Sequence, residues 1–117
     1  MYKSSKRLAK KAASLALEKK AENVISMDLR GLASSCDFFV ICEGSSGAHV
    51  KAIADSVVDG LTEVGEKPWH KEGYETKHWI LLDFVNVVVH VFDRQTRDYY
   101  RLESLWGDAE TEAFEDE

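Results

Sequence analysis

Residues 79–92 constrain this chain most. Two apolar runs, Trp79–Phe84 and Val87–Phe92, are separated only by Val85 and Asn86. Runs this short, and this rich in β-branched and aromatic residues, read as strands rather than helices. So short a break makes them an antiparallel hairpin. Their apolarity is continuous rather than alternating, which is the pattern of strands covered on both faces and set in mid-sheet. Directly afterwards Tyr99, Leu102, Leu105 and Trp106 recur at helical spacing and are expected to fold back on that sheet.

The rest of the chain supplies elements to pack against this hairpin. Residues 4–20 predict a helix with Leu8, Ala12 and Leu15 on one face. Val24–Leu29 predicts a strand that ends at Arg30-Gly31, a turn in which glycine is conformationally free. Leu32–Cys36 predicts a loop, and Asp37–Glu43 a second strand. Gly44-Ser45-Ser46-Gly47 opens a helix that either serine can cap by accepting a backbone N–H. Val50, Ile53, Ala54, Val57, Val58 and Leu61 then keep a 3.6-residue period, and Gly65 is placed to stop the helix. The chain's one proline makes Pro68–Lys71 an edge strand. Asp93 is expected to cap the last helix. The order αββαβββα describes one α+β domain over residues 1–108 with a five-stranded mixed sheet. Residues 109–117, acidic with a single aromatic, are expected to be a disordered tail.

Charge is segregated. The first 20 residues carry seven basic groups and one acid, whereas the remainder carries 8 basic and 20 acidic residues, giving −6 overall. An acidic body repels phosphate backbones and favours basic partners, so little direct nucleic-acid contact is expected. The acid-free start raises the alternative of an organelle transit peptide, but its many lysines and single arginine fit a mature surface helix better. No stretch approaches the roughly 20 apolar residues of a membrane span. Cys36 and Cys42 lack CxxC spacing, and no secretory signal precedes them, so a reducing, cytoplasmic setting is expected.

Candidate chemistry is sparse. Gly44–Gly47 at a helix start resembles a phosphate cradle, yet it has neither the P-loop lysine nor a dinucleotide fingerprint, and a plain strand-to-helix turn explains it better. His90 with Asp83 across the hairpin offers a His–Asp pair, but no nucleophile accompanies it, and a hydrogen-bonded core histidine is the commoner case. His49, His70, His78 and His90 lack metal-ligand spacing, so neither metal nor cofactor is expected. Trp69, Trp79, Trp106, Tyr74, Tyr99 and Tyr100 exceed what the core requires, and large rings of this kind anchor protein interfaces. Trp106 reads as a core filler, while Trp79 fits core and interface equally.

Several stretches together resemble the ribosomal silencing factor family, also called RsfS or Iojap-like. They are Asp28–Leu32, Asp37–Ser46, Ile53-Ala54-Asp55, Trp79–Asp83, Val87–Phe92 and Tyr100–Trp106. The resemblance implies a nucleotidyltransferase-like fold without known enzymatic activity. It implies binding to the large ribosomal subunit through ribosomal protein fourteen, blocking small-subunit joining and lowering translation when nutrients are scarce. It also leaves room for a homodimer when the protein is free. The partner contact it implies falls on Trp79, Asp83, Phe84, Asn86 and His90. Trp79 and Phe84, five apart, face opposite sides of a regular strand, so both can touch one partner only at the hairpin rim or across a twist.

Two departures from the family pattern matter. The usual Gly-Asp of the hairpin is Val85-Asn86. Valine resists positive φ, so Asn86 is expected to hold the left-handed position. The usual Thr-Gly-Thr-Ser is Glu43-Gly44-Ser45-Ser46. The rival function, a metal-dependent nucleotidyltransferase, needs two carboxylates one residue apart on a strand; none of the predicted strands carries them, and Asp55 falls within a helix.

Overall fold

A computed structural model describes residues 4–32 and 36–115. Lys3, most of the loop expected over residues 32–36, and the last two residues of the tail lie outside them. The elements are α1 (Ser5–Glu18), β1 (Glu22–Asp28), β2 (Phe38–Gly44), α2 (Gly47–Glu63), β3 (His70–Glu72), β4 (Trp79–Asp83), β5 (Val87–Asp93), α3 (Arg94–Tyr100), α4 (Leu102–Leu105) and β6 (Glu110–Phe114). They form an α+β fold around a six-stranded mixed sheet of order β3-β4-β5-β2-β1-β6. β2 and β5 run parallel and every other pairing is antiparallel.

The start and stop signals act through hydrogen bonds. Ser4 and Ser46 cap α1 and α2 by accepting from Arg7 N and His49 N, and Asp93 caps α3 by accepting from Thr96 N. Gly65 follows α2 at φ +89°, and Gly31 turns the chain after β1 at φ +84°. The His49 ring accepts Ser45 N–H at Nδ1 (2.9 Å) and meets the Lys19 carbonyl at Nε2 (2.6 Å), tying the end of α1 to the β2–α2 turn.

α1 and α2 cover one face of the sheet. Leu8, Ala12, Leu15, Val50, Ile53, Val57 and Leu61 meet Val40, Cys42, Ile80, Leu82, Val89 and Val91 in the main cluster. The other face holds a smaller cluster of Met27, Leu29, Cys36, Ile41 and Phe92, which Leu102 and Trp106 partly cover. Both cysteines are buried, and they sit in different clusters. Among the described residues, no helix is long and apolar enough to cross a membrane.

Four expectations are corrected. Residues 110–114 of the acidic tail are a sixth strand, antiparallel to β1 from Val24↔Phe114 to Asp28↔Glu110. Few apolar side chains signalled it because backbone pairing and Phe114, packed on the main cluster, hold it in place. The final helix breaks at Arg101 (φ +49°), and Tyr99 and Leu105 are exposed rather than folded on the sheet. β4 is fully covered on one face only, its residues alternating between half-buried and buried, with Tyr100 of α3 against Trp79 on the other side. In the hairpin turn, Val85 rather than Asn86 takes positive φ (+75°). Asn86 N–H donates to the Phe84 carbonyl (3.0 Å) and Phe84 N–H to Val87 O (2.9 Å). With Val85 at positive φ this is the rarer, strained form of the γ-turn, a conformation that a β-branched side chain resists. The Asp83 carboxylate supports the turn by accepting Val85 N–H at 2.7 Å.

Removing residues 109–117 should therefore lower stability by roughly 2 kcal/mol, the scale of a few net hydrogen bonds and one apolar contact. Denaturant titration of the truncated chain checks this, and an unchanged midpoint would show that β6 contributes nothing.

Candidate functional site

Strand register decides which side chains share the open face. Trp79 pairs with Phe92, Leu81 with His90 and Asp83 with Val88 across β4 and β5. Phe39 and Ile41 continue the row on β2, opposite Val88 and His90. Because successive side chains alternate, Ile80, Leu82 and Phe84 point the other way, into the helix-covered cluster. Of these open-face residues, Trp79, Leu81, Asp83, Val88 and Phe39 are half-buried.

An aromatic ladder crosses this face. The Trp79 ring stacks on Phe92 (centroids 4.9 Å apart, planes 28°) and tilts against Tyr100 of α3 at 4.8 Å. The His90 ring lies 4.5 Å from Phe39, edge to face, and Phe39 is 6.5 Å from Trp106. Tyr99 stands edge-on to Tyr100 at 5.0 Å, and at 81% relative exposure it projects from the end of the ladder. Offset and edge-to-face pairs of this kind add roughly 0.5–1.5 kcal/mol each beyond burial.

His90 organises the ladder. Its Nδ1 accepts the Trp79 indole N–H at 3.1 Å, so the proton of the neutral ring sits on Nε2, which is buried without a hydrogen-bond partner. Burial pushes its pKa down to about 3. The expected His90–Asp83 pairing does not form: His90 lies opposite Leu81, and Asp83 supports the turn.

Behind the ladder a charge network joins the ends of β1 and β2 to α3 and α4. Glu43, buried, accepts from Arg94 (2.9 Å) and from buried Arg97 (3.2 Å). Arg97 also donates to the carbonyl of Asn23, at the bulge in β1, and to Glu103. Glu43 thus seats α3 on the sheet. A buried arginine left without such a partner typically costs about 3–5 kcal/mol.

The sequence-derived residues therefore separate. Trp79, Asp83 and His90 share the open face. Phe84 is buried on the opposite one, excluded because β4 keeps regular alternation. Exposed Asn86 lies at the rim, and its carbonyl accepts Asp37 N–H (2.8 Å) and Phe38 N–H (3.1 Å). Sequence reasoning missed Leu81, Val88 and Phe39, because a continuous apolar run hides which face each residue takes. Tyr100 and Trp106 were noticed as aromatics but not placed in the ladder.

The Gly44–Gly47 turn borders a cleft of about 400 Å³ together with Thr76, His78, Asp93, Arg94 and Gln95. Its polar groups are engaged internally: Ser46 caps α2, Ser45 N–H is held by His49, and the His78 ring meets Asp93 at 2.6 Å. β6 does carry two carboxylates one residue apart, Glu110 and Glu112. They lie beside the β1 end that pairs with the start of β2, whereas Gly44 closes the other end of β2. Among the described residues, no three His, Cys, Asp or Glu side chains gather as a metal site.

Residues 2–117 match the family described as "Ribosomal silencing factor during starvation". The chain belongs to the ribosomal silencing factor family. The Bacillus subtilis ribosomal silencing factor RsfS is 41% identical over 104 residues, covering 89% of this chain and 88% of that protein. A crystal structure of a protein from Chromobacterium violaceum superposes with a TM-score of 0.86 at 36% identity, covering 89% of this chain and 87% of that one. A mouse protein named "Mitochondrial assembly of ribosomal large subunit protein 1" is 34% identical over 73 residues, 60% of this chain and 32% of its own length. In this chain the open face is built around the Trp79–His90 bond.

The buried neutral imidazole makes stability depend on pH. The unfolded chain binds a proton at His90 near pH 6.5 and the folded chain only near pH 3, so this contribution is complete above pH 6.5 and is lost as pH falls toward 3. Between pH 6 and 5 the wild type should lose about 1 kcal/mol more stability than His90→Gln, whose amide oxygen can still accept the indole N–H. Denaturant titrations at both pH values check this, and equal losses would contradict it.

Proposed function

We propose that this protein binds the large ribosomal subunit at ribosomal protein fourteen in the cytoplasm. Seated there, it blocks joining of the small subunit and lowers translation when nutrients are scarce. One observation carries the reading of the contact: the half-exposed face of Trp79, Leu81 and Phe39, continued by exposed Tyr99 and Tyr100, is only partly covered by the short α3 and α4. Half-buried aromatics held in place by neighbours are the usual anchors of protein interfaces. The name of the mouse relative supports a large-subunit partner, and the acidic body suits a basic ribosomal protein. Trp79 and Leu81 serve as anchors, Asp83 and Asn86 form the rim, and His90 fixes the indole. We assign the protein no catalytic role and no cofactor, and take a homodimer through the same face as the resting form of the free protein.

Sucrose-gradient sedimentation with separated subunits tests the reading. The protein should travel with large subunits only and should reduce joined ribosomes as its concentration rises. Trp79→Ala should weaken binding by about 2 kcal/mol, roughly thirtyfold. Leu81→Arg should weaken it at least as much while keeping a cooperative melt. Lys51→Ala, on exposed α2 away from this face, should change nothing. Unchanged gradients with excess wild-type protein would overturn the reading.

A further inference from the structure

We infer that the exposed side of α1 is a second contact surface, one that takes the phosphate backbone of RNA. Its ligand class rests on the large-subunit reading above, because that subunit is built largely of RNA. The helix is divided lengthwise. Leu8, Ala9, Ala12, Ala13, Leu15 and Ala16 are buried against the sheet and α2. The opposite sector presents Lys6, Arg7 and Lys10 as exposed residues and Lys11 as a half-buried one. Residues 7 and 11, and 6 and 10, are four apart, so each pair stacks one turn above the other along the same side.

Two observations set these cations apart from an ordinary solvated face. The helix contains no acid until Glu18, its last residue, so no i,i+4 partner neutralises them. Arg7, Lys10 and Lys11 make no ion pair with another described residue, whereas Lys51 of α2 is held by Asp55 at 2.7 Å. Lys6 lies near enough to Asp28 to feel its charge and is the least free of the four. The second observation is position. Lys6 and Arg7 stand in the first turn, where the helix dipole already presents positive charge and where acids, absent here, would be stabilising. The arrangement disfavours the isolated helix and favours an anionic partner.

Phosphate backbone fits better than a membrane. An interfacial helix buries its apolar side in lipid, and that side of α1 is already buried in the protein core. Among the described residues, the exposed large hydrophobics Trp69, Val85, Tyr99, Tyr100 and Leu105 all lie outside α1. The acidic body does not prevent the contact, because at physiological salt charges more than about 8 Å apart are largely screened. The overall acidity thus describes the rest of the surface and not this helix. α1 and the aromatic ladder lie on opposite faces of the sheet, so the two contacts add to each other as linked sites.

The full-length chain and its Arg7→Gln/Lys10→Gln/Lys11→Gln variant are titrated with purified large subunits, a short RNA duplex and phosphatidylserine vesicles over a range of salt. The expected result is tenfold or greater weakening of the variant on both large subunits and duplex. The log–log salt slope should be flatter by about 2–3, close to one for each phosphate that the variant no longer neutralises. The melting temperature should be unchanged or higher, since the substitutions remove cations from the positive end of a helix. Identical affinity and slope for both proteins would overturn the inference, as would a loss confined to vesicles. If Trp79→Ala abolishes subunit binding while the triple variant matches wild type, the α1 inference fails and the large-subunit reading stands. If wild type binds the duplex through these residues but not the subunit, the large-subunit reading fails instead.

Discussion

The structure depends on how β5 is covered. This strand is hydrogen-bonded on both edges, by β2 and by β4, and nearly every one of its side chains is apolar. A strand of this kind needs cover on both faces. α1 and α2, with 14 and 17 residues, supply it on one side, while α3 and α4, with 7 and 4, are too short to supply it on the other. The second face must therefore close itself with large rings. Trp79, His90, Phe39 and Trp106 pack laterally across the strands in place of a helix laid over them. The outer surface of that ring layer stays half-exposed, and this is the surface assigned to the partner.

The polar groups buried near this layer follow from the same shortage of cover. His90 is kept neutral because the rings around it exclude water, and its Nδ1 fixes the plane of Trp79. Glu43 and Arg97 are buried as a pair because α3 has no long apolar face with which to dock. An ion pair of this kind adds little net stability over apolar packing, but removing either partner is strongly unfavourable, so it fixes where α3 must sit. α3 in turn carries Tyr100 to Trp79, linking the charge network to the aromatic face.

Much of the fold was legible in the sequence because its signals are local. The 3.6-residue period of Val50–Leu61, the caps at Ser46 and Asp93 and the stop at Gly65 each depend on neighbours in the chain. What escaped depends on distant partners. β6 exists because β1 has a free edge, which no property of residues 110–114 reveals. Val85 accepts positive φ because Asp83 and Val87 close the turn around it, and intrinsic preference favoured Asn86. At the candidate site, Trp79 and His90 could be named from their types. Their mutual bond and the exclusion of Phe84 required the register, since a one-residue shift moves every side chain to the opposite face.

Oxidative footprinting of the aromatic residues on the large subunit tests the central claim most directly. Trp69 serves as an internal reference, because it is 81% exposed and lies outside the ladder. The account predicts that saturating subunits protect Trp79, Tyr99 and Tyr100 from oxidation and leave Trp69 as reactive as in the free protein. Protection of Trp69, with the ladder residues unchanged, would contradict it.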